Sequence, residues 1–424
     1  MKRHGGIWES LASWENLLLA ARKAQRGKRD RSDVRRFNFQ QEDELLRLQD
    51  ELQSRTYRPG PFRAHWTTQP KPRLISAAPY RDRVVHHALM NVLEPILERH
   101  FHPHSYACRR GKGTHAAADR AQELLRRYRY VAQLDIRKYF PSIDHELLKE
   151  KFRRLIKEKQ ALWLMDLIVD SSNPQETVIE YFPGDDLFTP HRRLHGLPIG
   201  NLTSQWFANW YLTGLDHFVT THLGLGGYVR YCDDFMLFHD DRAGLREAIH
   251  SVRRWLEAAR LRLHENKVAI CPAGAGATFV GYRVWGTHRL IRKPNVRAFR
   301  RRVRWMRGAY ADWGIDWNDI KPRLVSWIGH ARQAKSERLL RRLSGEWTFV
   351  RGQAVNESRP ARRQLEQQSA ELPICEPQQE RSVQPEQQYR VPGCAALSQA
   401  MPSRPESGVS RDAGVRRGKS WLGS

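Results

Sequence analysis

Three aspartates, whose positions suit metal chemistry, stand at the ends of strand-like segments. Asp135 closes a short apolar run that begins at Val131, and Asp233 and Asp234 stand in tandem between two β-rich runs in residues 228–238. Tandem Asp between such runs predicts a tight hairpin turn. A single Asp is most often only a turn or cap residue, but two adjacent carboxylates at a buried turn are costly without a counter-charge. Because a pair of divalent ions can clamp the attacking and leaving oxygens of a phosphoryl transfer, the aspartates predict a site for that chemistry.

The net charge of the chain restricts its class and its partner. The 424 residues carry a formal net charge of +26 at pH 7, with 40% hydrophobic and 10% aromatic residues. This balance argues against an acidic metabolic enzyme and a wholly disordered protein, and it predicts a polyanionic partner. No stretch reaches the roughly 18 consecutive apolar residues of a membrane-spanning helix, so we expect no membrane partner. Five widely spaced cysteines without a CxxC pair favour a reducing compartment, which predicts the cytoplasm.

Composition and periodicity divide the chain into a charged helical zone, a zone of strands and helices, a strongly basic helical zone and a Gln/Pro-rich tail. In that order the zones are residues 1–60, 61–290, 291–353 and 354–424. Within the second zone the patterns predict a strand at 73–77, a helix at about 83–100 and an aromatic-rich helix at about 202–217. The tail is predicted to be disordered, because apolar periodicity is lost there. It contributes only two of the 26 net positive charges, so the basic charge belongs to the folded part.

Ordered motifs in residues 60–345 resemble those of reverse transcriptases, in particular the bacterial branch related to group II introns. The turn with the tandem aspartates reads YCDD and resembles the YxDD box of that family. The segment DIRKYFPSIDH, which begins at Asp135, looks like the first palm motif. Further matches, in chain order, are residues 72–75, 81–89, 105–115, 196–205, 261–267, 279–282 and 326–331. The resemblance implies an α+β, right-hand polymerase fold, with fingers and an antiparallel palm sheet in 61–290 and a helical thumb in 291–353.

One departure narrows the resemblance. Most reverse transcriptases read QGxxxSP in the second palm motif, whereas residues 199–205 read IGNLTSQ. This form is similar to that of diversity-generating retroelement reverse transcriptases, which copy a template RNA into cDNA with errors at adenines. Ile in place of Gln removes a hydrogen-bonding group next to the incoming nucleotide, so we expect looser selection of the base pair. The same resemblance implies a small basic accessory protein as a partner.

The resemblance also implies roles for individual residues. Two Mg²⁺ ions, with Mn²⁺ as a possible substitute, would be held by Asp135, the carbonyl of Ile136, Asp233 and Asp234. Lys267 would protonate the pyrophosphate leaving group, and Phe140 would be a steric gate against a 2′-OH. Nucleotide binding is implied for Lys71, Arg73, Phe140, Ile199, Gly200 and Gln205. Contacts to nucleic acid are predicted for Arg83, Arg109, Lys112, Arg300 and Arg304.

These observations predict an RNA-directed DNA polymerase of the diversity-generating retroelement type. Its ligands would be a template RNA, a cDNA primer–template duplex and dNTPs. Two alternatives stay open: another group II-like bacterial reverse transcriptase, for example a defence-associated one, and a catalytically dormant RNA-binding derivative. The complete set of aspartates argues against the dormant derivative, because a pure RNA binder gains nothing from carboxylates that face phosphates.

Overall fold

The computed structural model describes residues 3–67, 73–172, 176–345 and 347–352, together with the backbone of residues 388–389. The chain divides into two compact units, which are Met1–Asn295 with Gln333–Lys335 and Val296–Arg332 with Ser336–Ser424. Apart from the backbone of 388–389, the predicted disordered tail lies outside the described residues. Among the described residues, no helix combines the length and the apolar character that crossing a bilayer requires.

Helices form the N-terminal part of the first unit, as the pattern of residues 1–60 predicts. They are α1 (Trp8–Leu11), α2 (Trp14–Ala24), α3 (Ser32–Phe39) and α4 (Gln41–Gln53). Helix α2 begins after Ser13, whose hydroxyl accepts a hydrogen bond from the backbone N–H of Asn16 at 3.2 Å. This cap satisfies an amide that has no partner within the helix.

A small hairpin and a long helix follow. Strands β1 (Arg63–Thr67) and β2 (Arg73–Ala77) pair antiparallel, and α5 spans Tyr80–Glu98. The strand predicted at 73–77 is therefore confirmed, while α5 starts and ends slightly earlier than predicted. The N-terminal helices are fastened to α5, since the Tyr80 hydroxyl donates to the Ala21 carbonyl at 3.0 Å.

The central sheet is antiparallel, with strand order β4-β5-β3-β6. Its strands are β3 (Tyr130–Asp135), β4 (Gly227–Tyr231), β5 (Asp234–His239) and β6 (Ala269–Pro272). Four consecutive residues of β5, Phe235 to Phe238, are fully buried, so both faces of this strand are covered. A continuous apolar run is the pattern expected of such a strand.

Along the chain, helices are interleaved with the strands of this sheet. They are α6 (Thr114–Arg127), α7 (Tyr139–Ser142), α8 (His145–Leu155), α9 (Lys159–Asp170), α10 (Thr189–Arg192), α11 (Leu202–Tyr211), α12 (Thr213–His217) and α13 (Arg242–Ala258). The helix predicted at 202–217 is therefore two helices, because the helical run is interrupted at Leu212. A second antiparallel sheet contains β7 (Ala277–Phe279), β8 (Tyr282–Val284) and β9 (Arg289–Ile291). The predicted α+β class is confirmed.

The second unit has its own apolar core. It holds most of α14 (Lys293–Ala311), all of α15 (Trp317–Arg332) and α16 (Glu337–Ser344), and the paired strands β10 (Phe349–Val350) and β11 (Gln388–Tyr389). The rings of Phe299 and Trp327 stack with centroids 3.8 Å apart and planes 3° from parallel. Aromatic stacking of this kind stabilises the packing of two helices beyond what the burial of apolar area contributes.

His86 on α5 is a titratable group in the core of the first unit. Burial, aided by the charges of His87 and Arg83, lowers its pKa from 6.5 to about 3. Below about pH 6.5 the unfolded chain therefore binds a proton that the folded chain does not bind until about pH 3. The folded state is stabilised fully above this window and loses stability as the pH falls through it.

We expect His86→Leu to remove this part of the acid sensitivity. By linkage, His86 accounts for about 2 kcal/mol of the stability lost between pH 8 and pH 5. The measurement is the free energy of unfolding in urea at both pH values, with the exposed His250 on α13 as the control in a His250→Gln variant. An identical pH dependence in His86→Leu and the wild type would contradict the assignment.

Candidate active site

The central sheet brings the three predicted metal-binding aspartates together. Asp135 is the last residue of β3 and Asp234 is the first residue of β5, and the two are direct partners across the strands. Tyr231 also pairs with Asp234, so the β4–β5 hairpin closes with a two-residue turn of Cys232 and Asp233. Cys232 has a φ of +60°, in the left-handed region that tight hairpin turns use. The tight hairpin predicted from the tandem aspartates is confirmed.

The charges at this turn are unbalanced. Burial raises the pKa of Asp234 to about 8, and the neighbouring carboxylates of Asp233 and Asp135 add to the rise. Burial likewise raises the pKa of Asp233, with a further contribution from Asp135. One cation relieves the repulsion, since the ammonium of Lys267 lies 2.6 Å from Oδ2 of Asp135. The site therefore favours positive charge.

The donor atoms of the turn suit a hard cation. Within the described ranges, no group of three or more His, Cys, Asp or Glu side chains already has the arrangement of a metal site. Lys267 nevertheless places a positive charge directly on Asp135, where a metal ion would also bind. Ile136 is buried beside the turn, and its N–H donates to the Asp233 carbonyl at 3.2 Å. Carboxylate and carbonyl oxygens are the ligands that Mg²⁺ and Ca²⁺ prefer, so the residues present fit such an ion.

An open cleft of about 440 Å³ passes this turn. Predicted site residues that line it are Arg73, Asp135, Ile136, Phe140, Ile199, Asp233 and Lys267. Phe140 is half-buried on α7, and its ring packs edge-on against Tyr139 with centroids 5.7 Å apart. The cleft thus joins the acidic turn, an aromatic side chain, an aliphatic side chain and a cation from β2.

Two of the cleft-lining residues that are not among the predicted site residues, Lys138 and Glu176, form an ion pair. Lys138 is in the left-handed region, with a φ of 46°, and its ammonium lies 2.5 Å from the carboxylate of Glu176. Both line the cleft. Their pairing bridges the start of α7 and the segment after α9, which no local pattern in the sequence indicates.

The segment that carries Ile199 is fastened to β2. The Ile199 carbonyl accepts from the N–H of Ser76 at 3.0 Å. Gly200 has a φ of +118°, and a Cβ there would lie 2.8 Å from the Ile75 side chain, so glycine is required. Asn201, which the sequence predictions omit, accepts from the Ala78 N–H at 3.1 Å and donates to the Ser76 carbonyl at 2.9 Å. In the sequence, Asn201 stands within the 199–205 motif and just before a helix, but its side chain does not cap that helix.

Two arginines predicted to contact nucleic acid instead form internal ion pairs. Arg83 lies 2.9 Å from Asp33 and is largely buried. Arg109 forms a bidentate pair with Glu98 and donates to the carbonyls of His102 and Ser105 at 2.6 and 2.8 Å, and its side chain is only 5% exposed. These contacts favour a structural role for both arginines, because each guanidinium is already paired with an internal carboxylate.

The remaining predicted residues are dispersed. Lys112 is half-buried and donates to the Pro103 carbonyl at 2.8 Å. Gln205 is exposed on α11 and is not among the described residues that line the cleft. Lys71 lies outside the described residues. Arg300 is half-buried and Arg304 is exposed, and both belong to α14 of the second unit.

Similarities to known proteins identify the family of this chain. The profile described as "Reverse transcriptase (RNA-dependent DNA polymerase)" matches residues 67–284. Protein YkfC of Escherichia coli strain K12 is 27% identical over 290 residues, which cover 59% of this chain and 72% of YkfC. The group II intron-encoded protein LtrA of Lactococcus lactis subsp. cremoris is 24% identical over 183 residues, which cover 42% of this chain and 28% of LtrA. Among solved structures, apo telomerase from Candida tropicalis aligns with a TM-score of 0.40 and 13% identity, over 57% of this chain and 59% of that one.

The profile match covers just over half of the chain and includes the β4–β5 hairpin and all but one of the described residues that line the cleft. Its relatives include group II intron-encoded proteins, in agreement with the predicted branch, although the chain spans little more than a quarter of LtrA. The chain therefore belongs to the reverse transcriptase family, the RNA-dependent DNA polymerases.

Proposed function

We propose that this chain is the reverse transcriptase of a diversity-generating retroelement, which copies a template RNA into cDNA with errors at adenines. The observation that carries the proposal is Ile199, which lines the cleft together with Arg73 and Phe140. By resemblance, most of the family has Gln at this position. An aliphatic side chain offers no hydrogen bond to a nucleotide. A correct base pair therefore gains no such bond over a mispair, and the difference in binding free energy between the two becomes smaller.

The reaction would join a primer 3′-OH to the α-phosphate of a dNTP and release pyrophosphate. Reverse transcriptase domains use divalent ions, and we propose two Mg²⁺ held by Asp135, Asp233 and Asp234, which when bound would neutralise charge on the attacking and leaving oxygens. Phe140 would exclude a ribose 2′-OH by its bulk. Lys267, at 2.6 Å from Asp135, would be placed to give a proton to the pyrophosphate.

Basic side chains near the cleft would bind the triphosphate, and basic side chains of the proposed thumb would bind the nucleic-acid backbone. Arg73, and Lys71 by resemblance, would contact the triphosphate, for which a guanidinium provides a bidentate fork. On α14, Arg304 is exposed while Phe299, Val303 and Met306 are buried, so the helix buries one side and presents cations on the other. Contacts to phosphates and 2′-hydroxyls would give affinity for an RNA–DNA hybrid without sequence preference.

We also propose a domain organisation, a set of ligands and a cellular compartment for this chain. Residues 1–60 would be an N-terminal extension, 61–290 fingers and palm, and 291–353 a thumb. Its ligands would be a template RNA, the cDNA primer–template duplex and dNTPs, in the cytoplasm. A small basic accessory protein is proposed from the resemblance alone.

We expect Ile199→Gln to lower misincorporation opposite template adenines about tenfold. The measurement is sequencing of cDNA made from a defined RNA template with all four dNTPs. Ile199→Val is the matched control, because it keeps an aliphatic side chain and should keep the error rate. Accurate copying of adenines by the wild type, or an unchanged adenine error rate in Ile199→Gln, would exclude the diversity-generating subtype.

A second candidate is a group II intron-like reverse transcriptase outside this subtype, and the similarity to LtrA favours it. The two candidates differ in the DNA that flanks the gene. A nearby pair of near-identical repeats that differ at adenines supports the first candidate. A flanking sequence that folds as an intron RNA supports the second.

A further inference from the structure

Arg230 is a buried charge to which the catalytic assignments give no role. It lies on β4, next to Tyr231 of the hairpin, and pairs with Asp216 on α12. The side chains of Arg230 and Asp216 are both 0% exposed. The guanidinium forms a fork, with Nε to Oδ1 and Nη2 to Oδ2 both at 2.6 Å. The Tyr228 hydroxyl donates to the same carboxylate at 2.6 Å.

The third nitrogen of Arg230 reaches the catalytic turn. Its Nη1 donates to the Cys232 carbonyl at 3.0 Å and to Oδ1 of Asn209 at 2.9 Å. The Cys232 carbonyl belongs to the planar peptide unit that leads into Asp233. Holding that carbonyl therefore fixes the direction in which the chain enters Asp233. The contact also holds Cys232 in its positive-φ conformation, which residues with a side chain disfavour.

Arg230 is itself held rigidly on its other side. Its backbone N–H donates to the His104 carbonyl at 2.9 Å, and its carbonyl accepts from the Tyr106 N–H at 2.9 Å. The Asn209 amide, which receives Nη1, also donates to the Ala107 carbonyl at 3.0 Å. Arg230 thus links the turn to α11, α12 and the segment before α6.

The buried ion pair of Arg230 and Asp216 orients neighbouring groups more than it stabilises the fold. Taking two charges out of water offsets much of their attraction, and apolar side chains of similar volume often stabilise a fold equally well. A guanidinium, in contrast, can satisfy a carboxylate and a carbonyl at once in one plane. This combination is useful where a turn must be held in one orientation.

We propose that Arg230 is a positioning residue of the polymerase site, which orients Asp233 through the Cys232 carbonyl while Asp216 holds the guanidinium. The inference deepens the proposed function and rests on it. Without this contact the carboxylate of Asp233 would sample several directions, and divalent ions would bind more weakly. Binding of the primer–template and of the dNTP base would change little, because neither involves the buried guanidinium.

The test compares two substitutions in the same network. Arg230→Lys keeps the charge but loses the fork, so one ammonium cannot serve both Asp216 and the Cys232 carbonyl. Tyr228→Phe is the matched control, because it also removes a buried hydrogen bond to Asp216 but leaves the contact to the turn. Folded fractions are measured by circular dichroism. Mn²⁺ affinity is measured by electron paramagnetic resonance on the complex with a 3′-deoxy primer–template and dNTP, and kcat and KM by primer extension.

We expect Arg230→Lys to weaken Mn²⁺ binding and to lower kcat about tenfold each, as for other residues that orient metal ligands. The KM for dNTP should stay within about twofold, and Tyr228→Phe should resemble the wild type in both readouts. Unchanged Mn²⁺ affinity per folded molecule in Arg230→Lys would overturn the role. Equal losses in both variants would also overturn it, because they would indicate a structural effect of the whole network.

Two further outcomes, a variant that does not fold and a wild type that is inactive, can be told apart from a failure of the positioning role. If Arg230→Lys does not fold, Asp216→Asn replaces it, since it keeps the shape of the partner and the guanidinium but weakens their pairing. A smaller loss of Mn²⁺ affinity is then expected, and no loss overturns the role. If the wild type fails to extend any primer, the proposed function fails, whereas the Mn²⁺ measurement still decides whether Arg230 shapes the turn.

Discussion

Replacing Asp233 and Asp234 together with alanine is expected to lower RNA-templated primer extension by about 10³-fold or more. The double substitution removes two of the three carboxylates at the turn. Metal ions stabilise the charge that develops in such a reaction by several kcal/mol. A loss of about 4 kcal/mol corresponds to roughly a thousandfold in rate. The measurement is the rate of dNTP incorporation with Mg²⁺, and equal incorporation by variant and wild type would refute the polymerase assignment at these residues.

The same variant should not be less stable than the wild type. The raised pKa of Asp234 means that its ionised form is disfavoured in the folded state, so removing it relieves repulsion. We expect a melting temperature equal to or above that of the wild type without divalent ions. Asp240→Ala/Asp241→Ala is a matched control, because this tandem pair follows the other end of β5 and Asp241 caps α13. The control should lose stability, because the cap of α13 is removed, and keep its activity.

Phe140→Ala is expected to admit ribonucleotides. Phe140 lines the cleft that also holds Asp135 and Ile199, and the ring is the bulky group next to the predicted position of the sugar. Removing the ring should reduce the preference for dNTP over rNTP, expressed as a ratio of kcat/KM values, on the order of 100-fold. The measurement is single-nucleotide extension with each substrate in turn.

Phe140→Tyr provides the control for this prediction, since it keeps the ring and adds only a hydroxyl. Discrimination against rNTP should persist in Phe140→Tyr. If Phe140→Ala still extends with dNTP and rejects rNTP as well as the wild type, Phe140 is a packing residue against Tyr139, and the ribose is selected elsewhere.

The parts of the site that depend on local pattern could be predicted from the sequence. The apolar run that ends at Asp135 and the two runs around the YCDD turn indicate strands, and the structure pairs Asp135 with Asp234 across them. Hydrophobic periodicity predicts the presence of helix α5, but it marks the ends less clearly, so the predicted ends differ from those of the structure by a few residues. The register that joins the aspartates, in contrast, follows from packing of the whole sheet.

The parts that depend on distant partners could not be predicted. Asn201 bonds to Ser76, which lies 125 residues away along the chain, and no local pattern indicates that contact. The resemblance of residues 81–89 to a fingers motif predicts that Arg83 contacts nucleic acid, yet Arg83 pairs with Asp33, which lies 50 residues away. A basic composition predicts the sign of the electrostatic potential around the protein. It does not show which Lys and Arg side chains form ion pairs within the protein.

The bonds of Asn201 have a mechanical consequence. They tie the carbonyl of Ser76 and the N–H of Ala78 to the segment that carries Ile199, so they couple the end of β2 to that segment. Arg73 is on the same strand. If Arg73 contacts the triphosphate and Ile199 the base, as proposed, a displacement of β2 toward the phosphates would also shift Ile199. Under the proposed function, binding of the phosphates and fitting of the base would be linked through these hydrogen bonds.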